Sequence, residues 1–163
     1  MTQQKWEPRQ EIEYFLSKMH SSPEQLRGYQ TLQGGISGAV TYRLQMVQGD
    51  LICKITHAQS DLSVLQRAQR EYLFYQQMAS SLPLRVPHMV AQVHDPKGIA
   101  LLLTAYQAAP PAEQWQEEHY VAVAKQLGQF HAAFWRNTKQ LAQSSWLRKS
   151  DENTSDLQMQ QAE

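Results

Sequence analysis

The strongest constraint on this chain is a hydrophobic period that changes twice along its middle. Val40, Tyr42, Leu44 and Met46 alternate with Thr41, Arg43 and Gln45, the spacing of a half-buried strand. Gln48-Gly49-Asp50 reads as a turn, and Leu51 to Thr56 as the returning strand. From Asp61 to about Ser80 the period lengthens. Leu65, Ala68, Tyr72, Tyr75 and Ala79 fall at steps of three and four, one helical stripe with Ser60 or Asp61 as N-cap. Pro83 and Pro87 break that stripe. Met89 to His94 and Ile99 to Tyr106 then read as two further strands, joined by the turn Asp95-Pro96-Lys97-Gly98. With Gly28 to Leu32 as a first strand, the order predicts an α+β fold. Its sheet has five strands, mostly antiparallel, with one helix between strands three and four.

The flanks are helical. Glu7 to His20 predicts a short amphipathic helix with Ile12, Phe15, Leu16 and Met19 inward and Glu11, Glu13 and Lys18 on the other side. After Ala108 to Pro111 a long helix is expected from Ala112 to Asn137, its apolar face carrying Tyr120, Ala124, Leu127, His131 and Trp135. The polar stretch beyond Leu147 is expected to be disordered. The predicted organisation is a helical segment at 1–27, a sheet region at 28–107, a linker and helix at 108–147, and a tail at 148–163.

Composition narrows the function. At 163 residues and 42% hydrophobic content the chain can bury a core on the scale of one domain. Fifteen Lys and Arg balance fifteen Asp and Glu, which argues against a general nucleic-acid or anionic-membrane binder. The lone Cys53 excludes an internal disulfide and a multi-thiolate zinc site. The longest apolar run, Ile99 to Tyr106, is far short of the ~20 residues that cross a bilayer. The first residues lack the apolar core of a signal peptide. A cytoplasmic protein is the expectation.

Three features could carry chemistry. Gly34, Gly35 and Gly38 sit between two strands, where glycines let backbone N–H groups approach a phosphate; a plain hairpin turn is the rival reading. Lys54 stands between Ile52 and Ile55 at mid-strand, sharing a face with Ile52 and Thr56. It either needs an anionic partner or lies on an edge strand facing water. Glu71 follows Ala68 by three residues and precedes Tyr75 by four, so it points along the packing stripe and calls for a cation. Arg67 and Arg70 are rival partners, but the span from Lys54 to Glu71 suits a loop and the first turns of a helix lying over the sheet.

This ordered set resembles the amino-terminal lobe of the protein-kinase-like fold, and in detail the aminoglycoside phosphotransferase and choline kinase superfamily. The similarity runs from about Thr31 to Trp135. It rests on Gly34 to Arg43, Leu51 to Lys54, Ala68 to Tyr75, Val86-Pro87-His88, Leu101 to Leu103, and Leu127 to Trp135. The resemblance implies that Gly34, Gly35, Ser37 and Gly38 cover the phosphates of ATP. It implies that Lys54 contacts the α- and β-phosphates, and that Glu71 holds Lys54 in place. Leu103, Thr104, Ala105 and Tyr106, with Gln107, would form the hinge beside the adenine. His131 would pack or hydrogen-bond in a helix leading to a second lobe.

The chain departs from that family in one large respect. Phosphoryl transfer needs an aspartate followed five residues later by asparagine, and a further aspartate for Mg²⁺. Aspartates occur at 50, 61, 95, 151 and 156, and no asparagine stands five residues beyond any of them. His94-Asp95 precedes a turn between strands and is out of place for a catalytic loop. No catalytic or metal residue is therefore assigned. The expectation is a truncated small-molecule kinase, by frameshift, artificial boundary or as a remnant, with weak or no ATP binding and no turnover alone. Mg²⁺ would belong to the complete enzyme only. A non-catalytic interaction module on the same lobe is the alternative. There Trp115, Tyr120, Phe130, Phe134 and Trp135 would offer apolar surface to a complementary second-lobe chain or to self-association.

Overall fold

The computed structural model describes residues 7–33, 38–107, 109–135 and 144–147. The chain divides into two compact units, Met1–Ser81 with Arg85–Gln114, and Leu82–Leu84 with Trp115–Glu163. The first unit holds α1 (Pro8–Lys18), β1 (Leu26–Leu32), β2 (Val40–Met46), β3 (Gly49–His57), α2 (Leu62–Gln77), β4 (Met89–Asp95) and β5 (Gly98–Thr104). The second holds α3 (Glu117–Phe134). The five strands form one sheet in the order β1-β2-β3-β5-β4, and all four neighbouring pairs run antiparallel.

The period changes are realised as this α+β architecture, with shifts at the element ends. The β2–β3 turn is tighter than expected. Met46 already pairs with Gly49, so Val47 and Gln48 make the turn and Asp50 lies within β3. β5 ends at Thr104, leaving Ala105 and Tyr106 outside the ladder. α3 starts at Glu117 rather than Ala112. Ala112–Gln114 forms a separate 3-10 turn after the two prolines, and extended Gln116 opens the helix by donating its N–H to His119 Nδ1 at 2.9 Å. The far end of the expected helix, through Asn137, and the tail from 148 lie outside the described residues.

One sheet face is closed by α1. Ile12, Phe15, Leu16 and Met19 pack on Leu26, Tyr42, Leu44, Cys53, Ile55, Ala100 and Leu102, all buried. The strand register explains why these residues share a face: Tyr42 pairs with Cys53 and Cys53 with Leu102, while Ile55 pairs with Ala100. Each large side chain buried here contributes about 1.5–3 kcal/mol of apolar transfer energy. Burial, and then the charge of Glu11, push the Cys53 thiol up to about 12, so Cys53 behaves as a core hydrophobe.

Glu11 departs from its expected place on the outer side of α1. It is only 4% exposed. Tyr42 OH donates to its Oε2 at 2.8 Å, and His57 Nε2 lies 2.9 Å from its Oε1. Those two partners satisfy a carboxylate that would otherwise be very costly to bury.

α2 lies on the other face, against β3 and β5. β5 is buried from Gly98 through Leu103, as a strand with both faces covered should be. Its hairpin with β4 is built by Asp95, whose Oδ1 accepts the N–H groups of Lys97 (2.7 Å) and Gly98 (3.2 Å). A Cβ at Gly98 would overlap the Thr56 carbonyl oxygen, so only glycine lets the hairpin meet β3 this closely.

In the second unit, Phe130 and Phe134 contact each other at 5.0 Å between ring centroids. No residue of α3 is buried, and Tyr120, Val121, Val123 and Leu127 are exposed. Among the described residues no helix is long and apolar enough to cross a membrane.

Candidate functional site

Lys54 stands on the central strand of the sheet, between Thr41 of β2 and Leu101 of β5. The edge-strand reading is thereby overturned. Its Nζ lies 2.6 Å from both carboxylate oxygens of Glu71 on α2. Arg67 turns its Nε instead to the Ser63 carbonyl of its own helix at 3.2 Å. The pair is neither sealed nor free in water, with side chains 20% and 27% exposed. An ammonium has three N–H donors, and two serve Glu71. The third and the exposed charge can meet an anionic oxygen. One turn beyond Glu71, burial first, then the charges of Glu71 and Tyr106, push the Tyr75 phenol up to about 12. Tyr75 therefore borders the pair as a neutral group.

Gly34, Gly35 and Ser37 lie outside the described residues. Gly38 is described, and two features demand glycine there. Its φ is +79°, and an added Cβ would stand 2.8 Å from both Val64 methyls. Gly38 itself, just ahead of β2, is thus seated on the first turn of the helix carrying Glu71. That contact is absent from any spacing rule; only the glycine itself hinted at a close approach.

The expected hinge residues are fastened from both sides. Leu103 pairs with Ile52 and with Met89. Thr104 donates its N–H to the His88 carbonyl at 2.9 Å, and its hydroxyl accepts the His88 N–H at 2.9 Å. Ala105 donates to the Asp50 carbonyl at 3.3 Å, and Tyr106 OH reaches the Val86 carbonyl at 3.4 Å. The N–H groups of Thr104 and Ala105 already have carbonyl acceptors, so neither is available to read a base edge.

Asp95 serves structure. Besides capping its turn, its Oδ2 accepts the Tyr14 hydroxyl at 2.7 Å. Burial raises its pKa, but the bonds from Tyr14, Lys97 and Gly98 outweigh that and hold it below the ordinary value. His131 is exposed, its ring edge-on to Phe130. A cavity of about 360 Å³ lies between α2 and the β4–β5 turn, lined by Leu65, Gln69, His94 and Ile99 among others. Lys54 and Glu71 are not among its walls, so this hollow is separate from the candidate site. Among the described residues no cluster of three or more His, Cys, Asp or Glu could hold a metal ion.

An antiparallel five-stranded sheet whose third strand presents a lysine to a glutamate on the following helix is a kinase-like amino-terminal lobe. A family model described as the phosphotransferase enzyme family (APH) matches residues 28–163. The chain belongs to that family. Comparisons with curated proteins and with solved structures give no match.

Proposed function

We propose that this chain is the ATP-holding half of a small-molecule kinase, using Lys54 to engage the nucleotide phosphates and Glu71 to aim it. The observation that carries this reading is the bidentate Lys54–Glu71 contact at 2.6 Å on the central strand of a phosphotransferase-family chain. A lysine so held is pre-oriented toward an anion, which lowers the ordering cost of binding. Gly34, Gly35, Ser37 and Gly38 would close over the phosphates, and the stretch from Leu103 to Tyr106 would border the adenine. Since the N–H groups of Thr104 and Ala105 are committed, the base-reading contacts fall to the residues after them. A cytoplasmic setting, where ATP is abundant, suits this role. The sequence carries no aspartate–asparagine pair at catalytic spacing, so the chain alone binds ATP weakly and transfers no phosphate. The acceptor hydroxyl is left to a complementary lobe.

The test is an equilibrium titration of the full chain with ATP, alongside an ADP-release assay. Weak saturable binding that Lys54→Ala abolishes, with no ADP release, supports the reading. Unaided turnover that Lys54→Ala eliminates would refute the inactivity. Binding that ignores Lys54→Ala would refute the site. A second reading, a non-catalytic interaction module, is favoured by the exposed Tyr120, Val121, Val123, Leu127 and Trp135. Partner binding that survives Lys54→Ala, in a chain with no ATP affinity, would select it.

A further inference from the structure

We propose that Glu11, His57 and Tyr42 form a pH-sensitive latch that holds α1 on the sheet and loosens as His57 loses its proton. α1 lies ahead of the family-matched stretch 28–163, yet with its C-cap Met19 it supplies four side chains to the core. Its attachment combines an apolar stripe with one buried anion. Each Glu11 oxygen has one partner: His57 Nε2 on Oε1 and Tyr42 OH on Oε2. His57 ends β3 and remains 28% exposed, so a proton can reach it from solvent.

Of the described groups facing this carboxylate, only the imidazole changes charge near neutral pH. Tyr42 on β2 is raised well above its ordinary value, by burial first and then by its bond to Glu11, and stays a fixed donor. Cys53 on β3 stays a thiol. At the β4–β5 turn, Asp95 takes the hydroxyl of Tyr14 from α1, while Lys97 and Lys18 stand 4.1 and 5.6 Å from the Tyr14 ring centre. Asp95 is lowered and Tyr14 is raised by its bond to Asp95, so both keep one form through neutrality. His57 is raised by its bond to Glu11, against the opposing effect of burial, with the Glu11 charge adding to the rise. A group raised on folding stabilises fully below its unfolded value, about 6.5 for histidine, and that contribution fades as pH climbs through the folded value. The imidazolium–carboxylate pair therefore holds α1 in mild acid. In mild base the buried Glu11 charge is left with neutral donors only.

Hydrogen exchange of the full chain, corrected for intrinsic rates, tests this at about pH 6 and about pH 8.5. α1 amides should open several-fold more readily at the higher pH, while β5 amides do not change. His57→Gln, a neutral donor at both pH values, should erase the difference and match the loosened wild type. Absence of a pH difference in the wild type, or its persistence in His57→Gln, overturns the latch. Ring-proton titration of His57 is a second readout that does not depend on a variant. A midpoint above the ordinary histidine value supports the latch, and an ordinary or lower midpoint overturns it.

Discussion

Two glutamates approach the same sheet from opposite faces, each carried by a helix, and their surroundings give them different work. Glu11 is sealed, 4% exposed, beneath a face closed by Ile12, Phe15 and Leu16. Its partners, Tyr42 and His57, are consumed in fastening α1. Glu71 sits on the open face, 27% exposed, and its partner Lys54 keeps contact with solvent. A carboxylate under a closed face secures packing. The same group under a half-open face can hold a cation ready for something that arrives from water. The difference lies in the helices: α1 buries three large apolar side chains and its C-cap Met19 adds a fourth, whereas α2 buries only Ala68.

The largest test of this contrast is a pair of truncations. Leu16→Ala, fully buried on α1, should cost about 2–5 kcal/mol in urea denaturation. Leu65→Ala, half-buried on α2, should cost under about 2 kcal/mol. Equal costs would break the distinction between the faces. Next, Tyr42→Phe strands the buried Oε2 of Glu11 and should cost about 1–3 kcal/mol. Glu71→Gln, on the wetter face, should cost about 1 kcal/mol or less while weakening ATP binding. A larger stability loss from Glu71→Gln than from Tyr42→Phe would show that the Lys54 pair is mainly structural.

Acid offers a smaller test. Asp95 is held below its ordinary value, so its contribution is complete above about pH 4 and fades as pH falls through the folded value. Acid unfolding should begin at higher pH in wild type than in Asp95→Asn, measured relative to each protein's own neutral stability. The smallest expected effect is Arg43→Ala. Its ion pair with Asp50 at 2.7 Å is 40% and 36% exposed, and its loss should cost no more than about 1 kcal/mol.

Much of the sheet was legible because alternation from Val40 to Met46 and the three-four stripe from Leu65 to Ala79 are local patterns. The Lys54–Glu71 pair was legible for a similar reason: a charge on an apolar face implies a countercharge. That same rule reaches Glu11, which stands four residues before Phe15 and so near the inner stripe, but its neighbours Glu13 and Lys18 disguise it as part of a polar side. His57 as its partner arises from the way α1 crosses the end of β3, which no spacing encodes. Gly38 against Val64, and the commitment of the Thr104 and Ala105 N–H groups, are likewise products of tertiary approach. α3 shows the converse, since its apolar residues were readable but no described partner buries them.

The most direct measurement is an NMR titration of the uniformly labelled chain with ATP. If the open face is the phosphate site, resonances of Lys54, Thr41, Leu101 and Gly38 shift together, α1 stays still, and Lys54→Ala abolishes the response. Shifts confined to α1 or α3, or a response unaltered by Lys54→Ala, would contradict it.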